Sequence, residues 1–174
     1  SSSTLTMNGV ITGAYGITVN AGASQTGTLT LSGNNDYTGA TSINNGTLKL
    51  GAAGGSTNTP LGTVGSGTTV ASGATLDLNG YTLGTAEALT ISGTGYSTAG
   101  ALTNSSATDV TYSGLITLGD AATIKASSGN ITISHVGTIT GATFTLTVDG
   151  TATGSSVASI IGTTTGGLIK KDRK

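Results

Sequence analysis

Short runs in which apolar and hydroxyl-bearing side chains alternate recur along the whole chain. Clear examples are Thr28–Leu31, Leu115–Leu118 and Thr143–Val148. Each run has three to six residues and is bounded by Gly, Asn, Asp or Ser. Alternation with a period of two is typical of strands that bury one face. With roughly twenty such runs and no window of helix-forming residues, the pattern predicts an all-β chain.

A five-residue motif, Gly-Thr-Leu-x-Leu, sets the spacing of these runs. It occurs at Gly27–Leu31 and again at Gly46–Leu50, and a close relative follows at Gly73–Leu78. The spacing of roughly nineteen to twenty-eight residues is the length of one turn of a parallel β-solenoid. Leu would stack on Leu inside and Thr on Thr outside. We therefore predict a parallel β-helix of about seven rungs, each with three short strands.

The turns between the runs leave one alternative fold open. Asn-Gly and Asp-Gly pairs, as at Asn45-Gly46 and Asp149-Gly150, are typical of antiparallel hairpins, so a β-sandwich competes with the solenoid. The runs are short and numerous for a sandwich, and only five Tyr and one Phe are available to fill the space between two sheets. Both observations favour the solenoid.

Composition narrows the class of protein. Of 174 residues 30 are Gly, only 7% are charged, and the mean hydropathy of +0.18 is too high for a disordered linker. The absence of Cys excludes disulfides and thiolate metal sites. The basic residues are concentrated in a tail over 170–174, while the rest of the chain is acidic, so we expect no nucleic-acid partner.

The sequence points to no catalytic chemistry. Its seven acids are spread from Asp36 to Asp172, and His135, the only histidine, has no visible nucleophile or orienting acid beside it. We predict no catalytic, cofactor-binding or metal-binding residues, no cofactor, and a protein that is not an enzyme. The alternative, a carbohydrate-active β-helix enzyme, would require two acids brought together by stacking.

Residues Gly27 to Gly51 read GTLTLSGNNDYTGATSINNGTLKLG. This segment resembles the passenger-associated transport repeat of autotransporters, also described as the autotransporter-associated β-strand repeat. The resemblance implies a right-handed parallel β-helix within an exported passenger of a Gram-negative bacterium. It also assigns core positions and a turn in which Tyr37 caps one edge. The implied core positions are Leu29, Leu31, Ile43, Leu48 and Leu50, and the implied turn residues are Asn34, Asn35, Tyr37 and Gly39.

We therefore interpret residues 1–174 as one solenoid segment, a fragment or one link of a longer repetitive protein, with the transport-repeat motif at 27–51 and the basic tail at 170–174. The stretch Gly166–Lys170 resembles the lead-in of the repeat, and Ser3–Gly9 resembles the strand that follows it. Joined tail to head, the two would rebuild one repeat, which suggests a tandem array or an end-to-end filament.

The predicted function is a structural and adhesive scaffold of a cell-surface or secreted autotransporter-like protein. The alternative is a self-assembling subunit of an extracellular filament or matrix. Expected partners are adjacent repeats or copies of the chain placed end to end, and host or surface glycans. The expected location is extracellular or on the outer-membrane surface, with the outer-membrane translocator outside this segment.

Overall fold

The computed structural model describes residues 3–20 and 27–171. Within them nineteen short strands coil into a solenoid of about seven turns, and one 3₁₀ turn, Tyr96–Thr98, is the helical element. The all-β class, the parallel stacking and the number of turns predicted from the sequence are confirmed. No helix of the described ranges is long and apolar enough to cross a membrane.

In the described residues, the first face of the solenoid is a parallel sheet of eight strands, one from each of the seven turns and one that begins an eighth. Each of its strands opens a rung, so rung 1 begins at β1 and rung 2 at β3. In order, the strands are β1 (Thr4–Met7), β3 (Thr28–Leu31), β5 (Gly46–Leu50), β9 (Ala74–Asp77), β11 (Leu102–Asn104), the second half of β13 (Ile116–Ala126), β16 (Leu146–Gly150) and β19 (Leu168–Lys170).

The second face is also parallel and receives one strand from each of the seven turns. Its fifth strand is the first half of β13, which bends around the corner and continues into the first face. The other strands are β2 (Ile17–Val19), β4 (Thr41–Ile43), β8 (Thr68–Val70), β10 (Leu89–Gly93), β15 (Thr138–Thr140) and β18 (Ile160–Gly162).

The third face is regular only in rungs 5 to 7, where β12 (Val110–Tyr112), β14 (Ile131–Ile133) and β17 (Ser156–Val157) pair in parallel. In rungs 1 to 4 loops close this side, together with one antiparallel hairpin of β6 (Asn58–Thr59) and β7 (Gly62–Thr63). The prediction of three strands per rung therefore describes the last three turns. Gly-rich turns and a proline, which has no N–H to give, replace the strand earlier in the chain.

Inward-facing side chains form ladders along the core. On the first face, the fully buried Leu48, Leu76 and Leu102 stack in register. Burying each such side chain stabilises the fold by about 1.5–3 kcal/mol. Of the core positions that the resemblance implied, four are fully buried and Leu29 is partly buried against the core, so the predicted core is confirmed. The four are Leu31, Ile43, Leu48 and Leu50.

The Asn-Gly pairs do not make hairpins. At Asn45-Gly46 the chain turns the corner from β4 to β5, and Gly46 takes a φ of 75°, which glycine adopts without steric cost. Strand β4 pairs with β2 and β8 in parallel rather than with β5. The β-sandwich alternative is therefore wrong, while the right hand of the coil, implied by the resemblance, stays a prediction.

Candidate functional site

The transport-repeat motif occupies rung 2 and the start of rung 3, and its buried amide joins three rungs. The Asn35 side chain is fully buried. Its Oδ1 accepts a hydrogen bond from the backbone N–H of Ile11 in rung 1 at 2.8 Å, and its Nδ2 donates to the carbonyl of Pro60 in rung 3, also at 2.8 Å. Asn35 thus supplies cross-rung hydrogen bonds on the side of the solenoid where rungs 1 to 4 have no third strand.

Tyr37, in the same turn, lies inside the solenoid with 0% of its surface exposed. The prediction that it caps an edge is wrong. Its ring packs on Gly62, where an added Cβ would lie 2.6 Å from Tyr37 Cε2, so only glycine leaves room for the ring. Its hydroxyl lies 2.5 Å from Thr41 Oγ1. Because Thr41 donates its one proton to the Leu61 carbonyl, Tyr37 is the donor to Thr41.

Burial raises the pKa of Tyr37 to about 12, more than the hydrogen bond to Thr41 lowers it. The phenol therefore stays neutral at physiological pH and serves as a hydrogen-bond donor inside the core.

The only glutamate in the chain, Glu87, is also inside, with 1% of its surface exposed. Thr68 donates a hydrogen bond to Glu87 Oε1 at 3.0 Å, while Oε2 has no hydrogen-bond partner. Burial raises the pKa of the carboxyl from 4.5 to about 7, and the Thr68 hydrogen bond offsets part of that rise. This group was missed in the sequence, although it stands two and four positions before the inward-facing Leu89 and Ile91.

The next rung adds a second buried phenol above Glu87. The Tyr112 hydroxyl donates to the Glu87 backbone carbonyl at 2.7 Å, and burial raises the pKa of this phenol well above its usual value. Thr41, which contacts Tyr37, and Thr68, which contacts Glu87, are register neighbours on the second face. We call this set the inner polar cluster; it spans rungs 2 to 5 and consists of Tyr37, Thr41, Thr68, Glu87 and Tyr112.

The outward acids of the first face stand in a column that also holds lysines. Asp77 forms an ion pair with Lys49 at 3.6 Å. Asp149 lies three rungs further along the same column, with Thr103 and Lys125 between them. Three steps of about 4.8 Å give about 14 Å, beyond the roughly 6.5–9.5 Å that separates the carboxyls of an inverting glycosidase. This pair of acids is therefore not arranged for glycoside hydrolysis.

The remaining polar candidates have structural partners. Asp109 accepts hydrogen bonds from the side chain and the backbone of Asn130, which lower the pKa of its carboxyl. His135 Nδ1 accepts from the backbone N–H of Gly137 at 2.9 Å. Within residues 3–20 and 27–171, no three His, Asp or Glu side chains gather as a metal ion would require. That the chain is not an enzyme stays a prediction.

Within residues 3–20 and 27–171, the first and last strands of the first face carry exposed inward-facing side chains. Leu5 in rung 1 is 60% exposed and Leu168 in β19 is 59% exposed. A groove of about 260 Å³ beside Leu5 and Leu29 marks one end, and a cavity of about 220 Å³ lined by Val148 and Leu168 marks the other. Lys170 continues the Val148 column. Of the predicted basic tail, Lys170 and Lys171 are exposed, and 172–174 lie outside the described residues.

Comparison with known protein families gives a match over one part of the chain. The sequence model of the passenger-associated-transport-repeat family matches residues 24–50, which confirms the resemblance predicted over 27–51. No curated protein and no solved structure gives a significant match. The matched repeat and the β-solenoid fold both fit a passenger-like scaffold.

Proposed function

We propose that this chain is a structural and adhesive scaffold segment of an autotransporter-like protein, secreted from or displayed on a Gram-negative bacterium. The observation that carries the proposal is the place of the matched repeat. Its described part forms β3, β4 and β5, which are paired on both sides by neighbouring rungs. The repeat is thus built into a continuous rod, as expected of a passenger that serves as a spacer or stalk.

Export can be tested by placing the segment between a signal peptide and an outer-membrane translocator in a Gram-negative host. We expect a protease added outside the cells to reach the segment and to leave a folded, resistant core. Failure of the wild-type segment to reach the surface would contradict the proposal.

A matched pair of variants tests whether the repeat has a role in export that other core positions do not have. Leu48 lies inside the matched repeat and Leu102 outside it, and both are fully buried in one column. Leu48→Ala and Leu102→Ala are each expected to destabilise the fold by about 2–5 kcal/mol. If the repeat assists export, Leu48→Ala lowers the surface-exposed fraction more than Leu102→Ala does. Equal losses would argue against a separate role for the repeat.

The adhesive part of the proposal rests on the second face. One hydroxyl per rung points outward from six consecutive strands, giving a neutral column at the strand spacing of about 4.8 Å. Such a surface suits the hydroxyl groups of host or surface glycans. Co-sedimentation with insoluble polysaccharide tests this, with Thr69→Lys and Thr90→Lys as variants that should abolish binding. The column consists of Thr18, Ser42, Thr69, Thr90, Thr117 and Thr140.

A second function, the self-assembling filament subunit, is favoured by the parallel stacking of the first face, which holds both β1 and β19. In a head-to-tail stack, β19 of one copy would pair in parallel with β1 of the next. Negative-stain microscopy at increasing concentration should then show threads, and Leu5→Asp should return them to single rods. Isolated rods at every concentration would contradict this function.

A further inference from the structure

We propose that the solenoid takes up a proton at Glu87 when it folds. The stack of rungs 2 to 5 is therefore more stable against unfolding in mildly acidic than in mildly alkaline solution. This inference goes beyond the scaffold function and does not depend on it.

The geometry of the carboxyl carries the proposal. Glu87 is 1% exposed, and a single neutral donor, Thr68, serves one of its two oxygens. The other oxygen, Oε2, is buried without a hydrogen-bond partner. No Lys, Arg or His of the described residues forms an ion pair with it. A buried carboxylate without a cation and with one hydrogen bond is costly, whereas the protonated acid carries no charge to desolvate.

The neighbouring rungs cannot supply the missing charge. The titratable groups facing Glu87 are the phenol of Tyr37 on the rung 2 side and that of Tyr112 in rung 5. Both phenols have raised pKa values and stay neutral, and a negative charge on Glu87 disfavours their ionisation further. The strand that contacts the carboxyl directly, β8, contributes only the hydroxyl of Thr68.

The direction of the pH effect follows from linkage. The pKa of Glu87 is raised in the folded state, to about 7 from 4.5, so the folded chain holds the proton more tightly than the unfolded chain. The added stability is complete well below pH 4.5 and is lost as the pH rises through about 7. From well below pH 4.5 to well above pH 7 the unfolding equilibrium constant should increase about 300-fold in total and then level off.

The first experiment uses the native protein. Because the chain has one glutamate, labelling with ¹³Cδ-glutamate marks the Glu87 carboxyl with a resonance of its own. We expect this resonance to titrate near pH 7. A midpoint near 4.5 in the folded protein would overturn the proposal, and this readout does not require any variant to fold.

The second experiment measures urea unfolding between pH 4.5 and 9 in the wild type, in Glu87→Gln and in Asp36→Asn. The last variant changes an exposed acid in rung 2 and serves as the control. Glu87→Gln should abolish the rise in the unfolding constant over this pH range, and Asp36→Asn should retain it. A Glu87→Gln profile as steep as that of the wild type would refute the proposal.

Discussion

Replacing Asn35 with alanine should weaken the contacts between rungs 1, 2 and 3 and so destabilise the fold. The substitution leaves the Ile11 N–H and the Pro60 carbonyl without their partners. An unsatisfied buried group costs about 1–3 kcal/mol. Ile11 is partly buried and belongs at the low end of that range, whereas Pro60 is buried and belongs near the middle. We therefore expect Asn35→Ala to lower the free energy of unfolding by about 3 kcal/mol.

The neighbouring asparagine is a matched control. Asn34 is exposed, and its Oδ1 accepts one hydrogen bond, from the Gly55 N–H at 3.0 Å. Water can replace that partner, so Asn34→Ala should cost less than about 1 kcal/mol. Urea unfolding followed by circular dichroism gives both values.

Amide hydrogen exchange adds a local readout of the same contact. The Ile11 amide should exchange faster in Asn35→Ala and should remain protected in Asn34→Ala, because only the first substitution removes its acceptor. Equal destabilisation by the two substitutions, or unchanged exchange at Ile11, would refute the reasoning.

Two further predictions compare a pair of glycines with nearly the same φ but different surroundings, and a pair of leucines in one column with different exposure. Gly62 and Gly73 have φ values of 86° and 87°, but an added Cβ meets the Tyr37 ring only at Gly62. Gly62→Ala should therefore destabilise the fold by at least about 1 kcal/mol more than Gly73→Ala in urea unfolding. Leu76 and Leu5 belong to one column and are 0% and 60% exposed. Leu76→Ala should cost about 2–5 kcal/mol and Leu5→Ala under about 1, measured as shifts of the thermal midpoint.

The ladders could be predicted from the sequence because they depend on local periodicity. Alternation of Leu and Thr at Thr28–Leu31 fixes which side chains face inward, and the spacing of the motif fixes which rung lies above which. The third face could not be predicted in the same way. Its closure in rungs 1 to 4 depends on single side chains such as Asn35, whose partners Ile11 and Pro60 are 24 and 25 residues away.

The burial of Tyr37 and that of Glu87 could not be predicted from the sequence, for different reasons. Tyr37 stands in a turn of polar residues, where an aromatic ring is expected at the surface, and it is buried because Gly62 leaves space for it in the next rung. Glu87 follows the inward parity of Leu89 and Ile91, so the alternation did mark its position. Acids are rarely fully buried, so the apolar pattern alone predicts a strand that begins at Leu89 and leaves Glu87 outside the core.

The buried polar contacts specify the register of the rungs, which the ladders of apolar side chains alone do not. In a stack of similar rungs, a slip by one rung keeps Leu over Leu on the first face and costs little apolar burial. The same slip takes the Asn35 amide away from Pro60 and the Tyr37 ring away from Gly62. Hydrogen bonds between buried groups are lost, at about 1–3 kcal/mol for each group left unsatisfied, and the ring leaves the glycine that makes room for it, so slipped stacks are disfavoured. The rungs at the transport repeat therefore specify the register there, and the fully buried Asn104, which accepts from the Gly80 N–H and donates to the Asn130 carbonyl, does the same for rungs 4 to 6.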